Sequence, residues 1–163
     1  GSGNLEDNEP SYDERYDLDT ASIGFVLDTV QPNRLFQYRL NVSWVNSNYD
    51  DTESNYSFDS QEWRVSNIFG FKILENEELR FWGGPMLSIF TGDWDDSNDN
   101  TGELDGIGWG AVLGADFNVK PRMTIGGELG IERFAQRYNE SPFGDYIGTD
   151  IFLKANFIWK LGK

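Results

Sequence analysis

Apolar and polar residues alternate with period two along most of the chain, and helical periodicity is nearly absent. Seven runs carry the pattern. Ala21, Ile23, Phe25 and Leu27 occupy alternate places in residues 20–30, and Phe36, Tyr38, Leu40, Val42 and Trp44 do so in 35–46. Residues 62–74 set Trp63, Val65, Phe69, Phe71 and Ile73 against Arg64, Ser66, Gly70 and Lys72. Residues 79–91, 105–120, 122–135 and 146–161 continue in the same way. Each run predicts a β-strand with one apolar and one polar face.

The connectors alternate in length. Short turns stand at 31–34, 75–78 and 120–122; long polar loops stand at 46–60, 92–105 and 136–146. Turns therefore gather at one end of the strands and loops at the other, which predicts an up-and-down antiparallel meander. Residues 1–19 read as an acidic loop segment leading into a β-domain over 20–163. Pro85, inside a strand, predicts a bulge or an unpaired position.

Alternation alone does not say which face is inside. A lipocalin-like barrel turns its apolar face inward, whereas an outer-membrane barrel turns it outward. The polar face interleaves glycine with full charge, which suits a narrow interior more than a solvated surface. Its charges nearly balance: Arg39, Arg64, Lys72, Arg80, Lys154 and Lys160 against Asp28, Asp116, Glu128, Glu132 and Asp150. Buried charge must be paired, so these residues predict an internal ionic network. Aromatics bracket the apolar band, with Trp44, Trp63, Trp109 and Tyr146 near the long loops and Phe36, Phe81, Phe117 and Trp159 near the short turns. They are candidate membrane-interface residues.

On these features the chain resembles the small outer-membrane β-barrel superfamily of Gram-negative bacteria, the eight-stranded OmpA-like and opacity-like proteins. The segments that carry the likeness are "LRFWGGPMLSIF" (79–90), "GIGWGAVLGADFNVKPRMTIGGELGIERF" (106–134) and "YIGTDIFLKANFIWKLGK" (146–163). The resemblance implies an all-β, antiparallel transmembrane barrel with eight strands, of which seven are recognised, and a lumen filled by side chains. The eighth is expected to precede Gly1, with residues 9–19 as the other candidate. Two further departures from the family are the Leu161-Gly162-Lys163 ending, where it closes on an aromatic, and Asn67 on the apolar face.

Composition narrows the chemistry. The 163 residues hold 28 acids, 13 bases, no cysteine and no histidine, for a net charge of −15. Thiol and imidazole catalysis and thiolate or imidazole metal sites are excluded, and so acidic a chain does not suit nucleic acid. The enzymes built on such barrels rely on histidine, so the chain reads as non-enzymatic. Gly106, Gly108, Gly110 and Gly114 would need a following helix to cradle phosphate, and more strand follows instead. Eighteen of the 28 acids fall in residues 1–19, 46–62 and 92–105, so the negative charge belongs mainly to the loops. Asp93, Asp95, Asp96, Asp99 and Glu103 make a weak divalent-cation candidate beside the simpler reading of a solvated loop tip.

The expected function is that of a surface-interaction or envelope-integrity protein in the bacterial outer membrane. Its expected contacts are membrane lipid, lipopolysaccharide, cations or a protein partner at the loops, with no other cofactor. Two alternatives stand beside it: a soluble lipocalin-like ligand-binding barrel, and one barrel component of a larger envelope assembly.

Overall fold

A computed structural model describes residues 2–6, 16–28, 35–51, 57–120, 123–139 and 145–159. They form one eight-stranded antiparallel sheet: β1 (Ser2–Glu6), β2 (Tyr16–Asp28), β3 (Phe36–Asp51), β4 (Ser57–Glu75), β5 (Leu79–Asp96), β6 (Thr101–Lys120), β7 (Met123–Tyr138) and β8 (Asp145–Trp159). Every strand from β2 to β8 pairs with its neighbour in sequence. All seven runs are strands, and they reach further than alternation indicates: β5 and β6 consume most of the loop expected at 92–105, leaving a turn at 97–100.

The eighth strand is β1, inside the segment read as a polar loop, and it pairs with Ile147–Ile151 of β8. Ser-Gly-Asn-Leu-Glu holds a single apolar residue, so no alternation betrays it.

The sheet is curled but open. Its strand order is β1-β8-β7-β6-β5-β4-β3-β2, and no ladder joins the two outermost strands. The edges stand 7 Å apart, beyond the 4.5–5.5 Å of a paired antiparallel ladder. This half-barrel overturns the closed transmembrane barrel expected above, and with it the likeness to the outer-membrane superfamily. Unpaired strand edges have no place in hydrocarbon, where each free N–H and C=O is costly. The outer-membrane location, the contacts with lipid and lipopolysaccharide and the envelope role fall with closure.

Parity along the strands sorts side chains by face. Ile23, Phe25, Leu27, Leu87, Ile107, Leu113, Leu129, Ile131 and Leu153 point outward and are exposed, while Arg39, Ser88, Asp116, Glu128 and Glu132 are buried within the curl. Of the aromatics expected at a membrane interface, Phe36, Trp44 and Trp63 pair with other aromatics across β3 and β4. Phe36 meets Phe71 at 5.8 Å and Trp44 meets Trp63 at 5.2 Å, both edge to face and both in direct register. Trp63, Phe81, Trp109 and Phe117 are exposed on that face, and the side chains of Tyr146 and Trp159 lie outside the described residues. Asn67 accepts a hydrogen bond from the Tyr38 hydroxyl, which accounts for a polar residue on the apolar side.

The interior holds more than charge and glycine. Ile68, Trp82, Met86, Phe90, Trp94, Leu104, Val112, Phe134, Tyr138 and Phe152 are buried there. Aromatics sit directly across from glycines: Trp82 from Gly114, Phe90 from Gly106, Trp94 from Gly102, Phe134 from Gly148 and Phe152 from Gly130. A Cβ at any of these glycines would collide with the ring opposite. Gly102, Gly106 and Gly114 of β6 are therefore seats for indole and phenyl rings inside a tight curl, while Gly108 makes room for Ser88 and Glu132. Pro85 faces outward at a position with no partner on β4, because the ladder passes from Ile68↔Met86 to Phe71↔Gly83.

Faces and seats give opposite expectations for neighbouring substitutions. Gly114→Leu must displace the buried Trp82 ring and is expected to lower unfolding stability by about 1–3 kcal/mol. Ala111→Leu, on the exposed face, should change it by less than about 0.5 kcal/mol. Urea unfolding followed by tryptophan fluorescence measures both.

Candidate functional site

The inward charges form two groups. In the first, Arg39 of β3, fully buried, is bound to Asp28 of β2 at 2.6 Å, to Asp116 of β6 at 3.1 Å and to Glu128 of β7. Arg80 of β5 shares Asp28 at 3.1 Å and Asp116, and the Trp82 indole N–H donates to the same Asp116 oxygen at 3.0 Å. The Arg39 guanidinium also lies 4.4 Å from the Trp82 ring centroid. Burial opposes the charge on Arg39, yet Asp116, Asp28 and Glu128 together hold its pKa above the ordinary value.

In the second group Arg64 of β4 reaches across the interior to Glu132 of β7 at 2.8 Å and along its own strand to Glu62. Ser88 donates to Glu132, and the Arg64 guanidinium sits 4.7 Å from the Phe90 ring centroid. Asp150 of β8 stands in register beside Glu132, and Lys154 beside Glu128. The Lys154 ammonium lies 4.5 Å over the Phe152 ring.

These contacts place the residues singled out from sequence. Arg39, Arg64, Arg80, Asp116, Glu128, Glu132, Asp150 and Lys154 all face inward, whereas Lys72 pairs at 2.6 Å with Glu75 near the sheet end. Lys160 lies outside the described residues. Glu62 was counted among loop acids and is in fact a buried partner of Arg64. It shares parity with Arg64 and Ser66, the signal that could have found it.

The acidic tip at 93–103 is divided between faces. Asp93, Asp95 and Glu103 are exposed, with Asp93 directly opposite Glu103. Asp96 turns inward and accepts from the backbone N–H groups of Asn98 and Asn100 and from the Asn100 amide, each at 2.9 Å. Asp99 takes the left-handed conformation of the turn, with φ of 61°. Asp96 thus builds the turn. Among the described residues no three acidic side chains gather into a group able to hold a metal ion.

A cavity of about 400 Å³ opens at the seam between β2 and β8, most of it past the stretch of β8 that β1 covers. Ser22, Gly24 and Val26 of β2 line it, with Asn41, Ser43 and Val45 of β3, Arg64 of β4 and Asp150, Phe152, Lys154 and Asn156 of β8. Asn156 is anchored by donating to Glu128 at 2.8 Å. Two lining acceptors, Asn41 Oδ1 and Asp150 Oδ1, are buried without a hydrogen-bond partner. Both residues are at least nine-tenths buried. Compared with known proteins, the chain matches no family model, no curated protein and no solved structure.

Titration in this region follows burial. Burial pushes the Asp150 carboxyl up, against the pull of Arg64, and pushes Glu62 up in the same way. It pushes the Lys154 amine down, against Glu128 and with Arg64 adding to it. Carboxyls raised on folding stabilise the fold fully below their ordinary pKa of about 4, and that contribution is lost as pH rises through the raised values. Asp150→Asn is therefore expected to be at least as stable as the parent at pH 7 and to gain less on acidification from pH 7 to pH 5. Urea midpoints at the two pH values report the difference. Arg39→Met leaves buried Glu128 without its ion pair and Asp28 and Asp116 with Arg80 alone, and should cost about 3–5 kcal/mol, measured the same way.

Proposed function

We propose that this protein is a binding protein whose site is the seam cavity between β2 and β8, and that it holds a small polar ligand without transforming it. The observation that carries this reading is the open cavity at this seam, whose lining sets Arg64, Asp150 and Lys154 beside Asn41 and Asn156. Asn41 and Asp150 are two of the seven described residues with a buried polar side-chain atom that has no hydrogen-bond partner. The cavity volume of about 400 Å³ lies within the range of small-molecule pockets.

Two features make the ligand polar. Most apolar side chains of the sheet point outward, and although Phe25, Val42, Leu153 and Ala155 edge the cavity, its polar wall is Ser22, Asn41, Ser43, Arg64, Asp150, Lys154 and Asn156. The non-enzymatic part rests on composition: there is no histidine or cysteine, and the other interior carboxylates are engaged by arginines. A carboxylate locked to a guanidinium is a weak proton acceptor.

Thermal-shift measurements against amines, polyols and dicarboxylates test the reading, with Ser22→Trp as the blocking variant. Ser22 is exposed on the edge strand β2 and lines the cavity, so an indole there fills the site without entering the ionic interior. The expected result is a rise in Tm for one class of compound that disappears in Ser22→Trp while the urea midpoint stays in place. A panel with no active compound, or a shift that survives the substitution, would sink the proposal.

A further inference from the structure

The two edges of the sheet face each other across the seam, and each carries backbone that no described strand pairs. Among the described residues β2 forms a ladder only with β3, from Tyr16 to Asp28. β8 is paired with β7 along its length, but β1 covers its other side only as far as Ile151, opposite Ser2. From Leu153 to Trp159 no described strand lies against that side. The seam cavity falls in this stretch, and its rim takes consecutive residues from both edges, Gly24, Phe25 and Val26 on β2 and Leu153, Lys154 and Ala155 on β8.

Exposure marks the same gap. Ile151, with Ile131 on one side and Ser2 on the other, is 54% exposed. Leu153, two residues on and on the same face, is 80% exposed. Phe25 at 81% and Ile23 at 78% stand on the facing edge, and these three are the most exposed large apolar side chains among the described residues. Each has a described cross-strand neighbour on one side only: Leu129 for Leu153, Val42 for Phe25 and Trp44 for Ile23.

From these two edges we infer that the seam is a docking slot for an extended segment of a partner protein, which adds to β8 as an antiparallel strand on the line that β1 begins. Such a segment sits at the rim of the seam, beyond the small ligand assigned to its inner wall. A free sheet edge offers N–H and C=O groups that an incoming main chain satisfies, while alternate side chains select its sequence. Directly opposed residues of a ladder share a face. Partners of Leu153, Ala155 and Phe157 therefore lie outward, beside Ile23, Phe25 and Leu27, and covering those residues requires apolar side chains. Partners of Lys154 and Asn156 lie inward over the polar wall, which suits small hydroxyl side chains. A second copy of the chain does not fit, because the slot has a strand on each side and every described strand of a copy is already held by a neighbour. Only a free segment enters.

Fluorescence anisotropy of the intact chain with a labelled hexapeptide, Thr-Val-Ser-Ile-Ser-Val, tests the slot. One peptide should bind per chain, and Leu153→Asp should weaken it at least tenfold. Leu113→Asp, equally outward but on β6 away from the seam, should leave it unchanged. The same residues in block order, Ser-Ser-Thr-Val-Ile-Val, should bind at least tenfold more weakly. Methylating alternate main-chain amides should abolish binding in at least one of the two possible sets, a result that requires no change to the protein and stands even if Leu153→Asp misfolds. Binding that survives both methylated sets, or that the two leucine variants weaken alike, is adsorption to apolar surface and overturns the inference. Absence of peptide binding overturns it too, as does sedimentation that finds a dimer which the peptide leaves intact. A small polar compound that shifts Tm while the peptide fails leaves the binding reading standing without the slot; peptide binding with a silent compound panel leaves the slot without the small ligand.

Discussion

Arg39 is the constraint on which the curl depends. A guanidinium with no solvent exposure must find its counter-charges inside the protein, and Arg39 finds them on β2, in register beside it, and on β6 and β7, across the interior. A flat sheet would keep β3 and β7 many strand widths apart. Bending brings Glu128 and Asp116 within reach of one arginine, and Arg80 and the Trp82 indole close the cluster from β5. The uncompensated alternative is several kcal/mol worse per buried ion, so curvature and ion pairing come as one solution.

Once the sheet is curled, its concave face runs short of space, and the rest of the interior follows. Each large ring needs a gap beside it, and the chain provides the gap as glycine in register on the neighbouring strand, Trp82 over Gly114 and Phe90 over Gly106 being two cases. Rings and guanidiniums then share the volume: Arg39 stacks on Trp82 and Arg64 on Phe90. Cation–π contacts of this kind are worth about 2 kcal/mol when desolvated, which helps hold charge in a narrow interior. Apolar residues of the opposite parity are left on the convex side.

Much of this was legible in the sequence. Period two set seven strands and their antiparallel order, parity separated Arg39, Glu128 and Glu132 from Ile107 and Leu129, and near-balanced charge on the glycine face marked it as the interior. Closure was not legible. It depends on a fit between the two outermost strands, and β1, with one apolar residue, carries no alternation to reveal even its own existence. A likeness built on β5 to β8 says nothing of the edge where β1 meets β2. The buried aromatics were hidden for another reason: Trp82 and Phe90 lie at polar-face parity, where an eye sorting residues by hydrophobicity places them with the wrong neighbours. Glu62 and Asp150 show the same limit in the candidate site. Both are acids at inward parity, and only the fold reveals that Arg64 pairs directly with Glu62 and acts on Asp150 from further off.

Openness and the candidate site have a common origin. Among the described residues β1 pairs with β8 over Ile147–Ile151, and the cavity runs from Asp150, in register with Gly3, along the remainder of β8 beside β2. A β1 long enough to pair with β2 along its length would complete the backbone hydrogen bonds of both edges and wall off the cavity. The short edge strand leaves backbone unpaired at the surface, where water satisfies it, and leaves the cavity open between β2 and β8. An unfinished sheet edge and an unfinished hydrogen-bond network at the same place fit a protein that binds there.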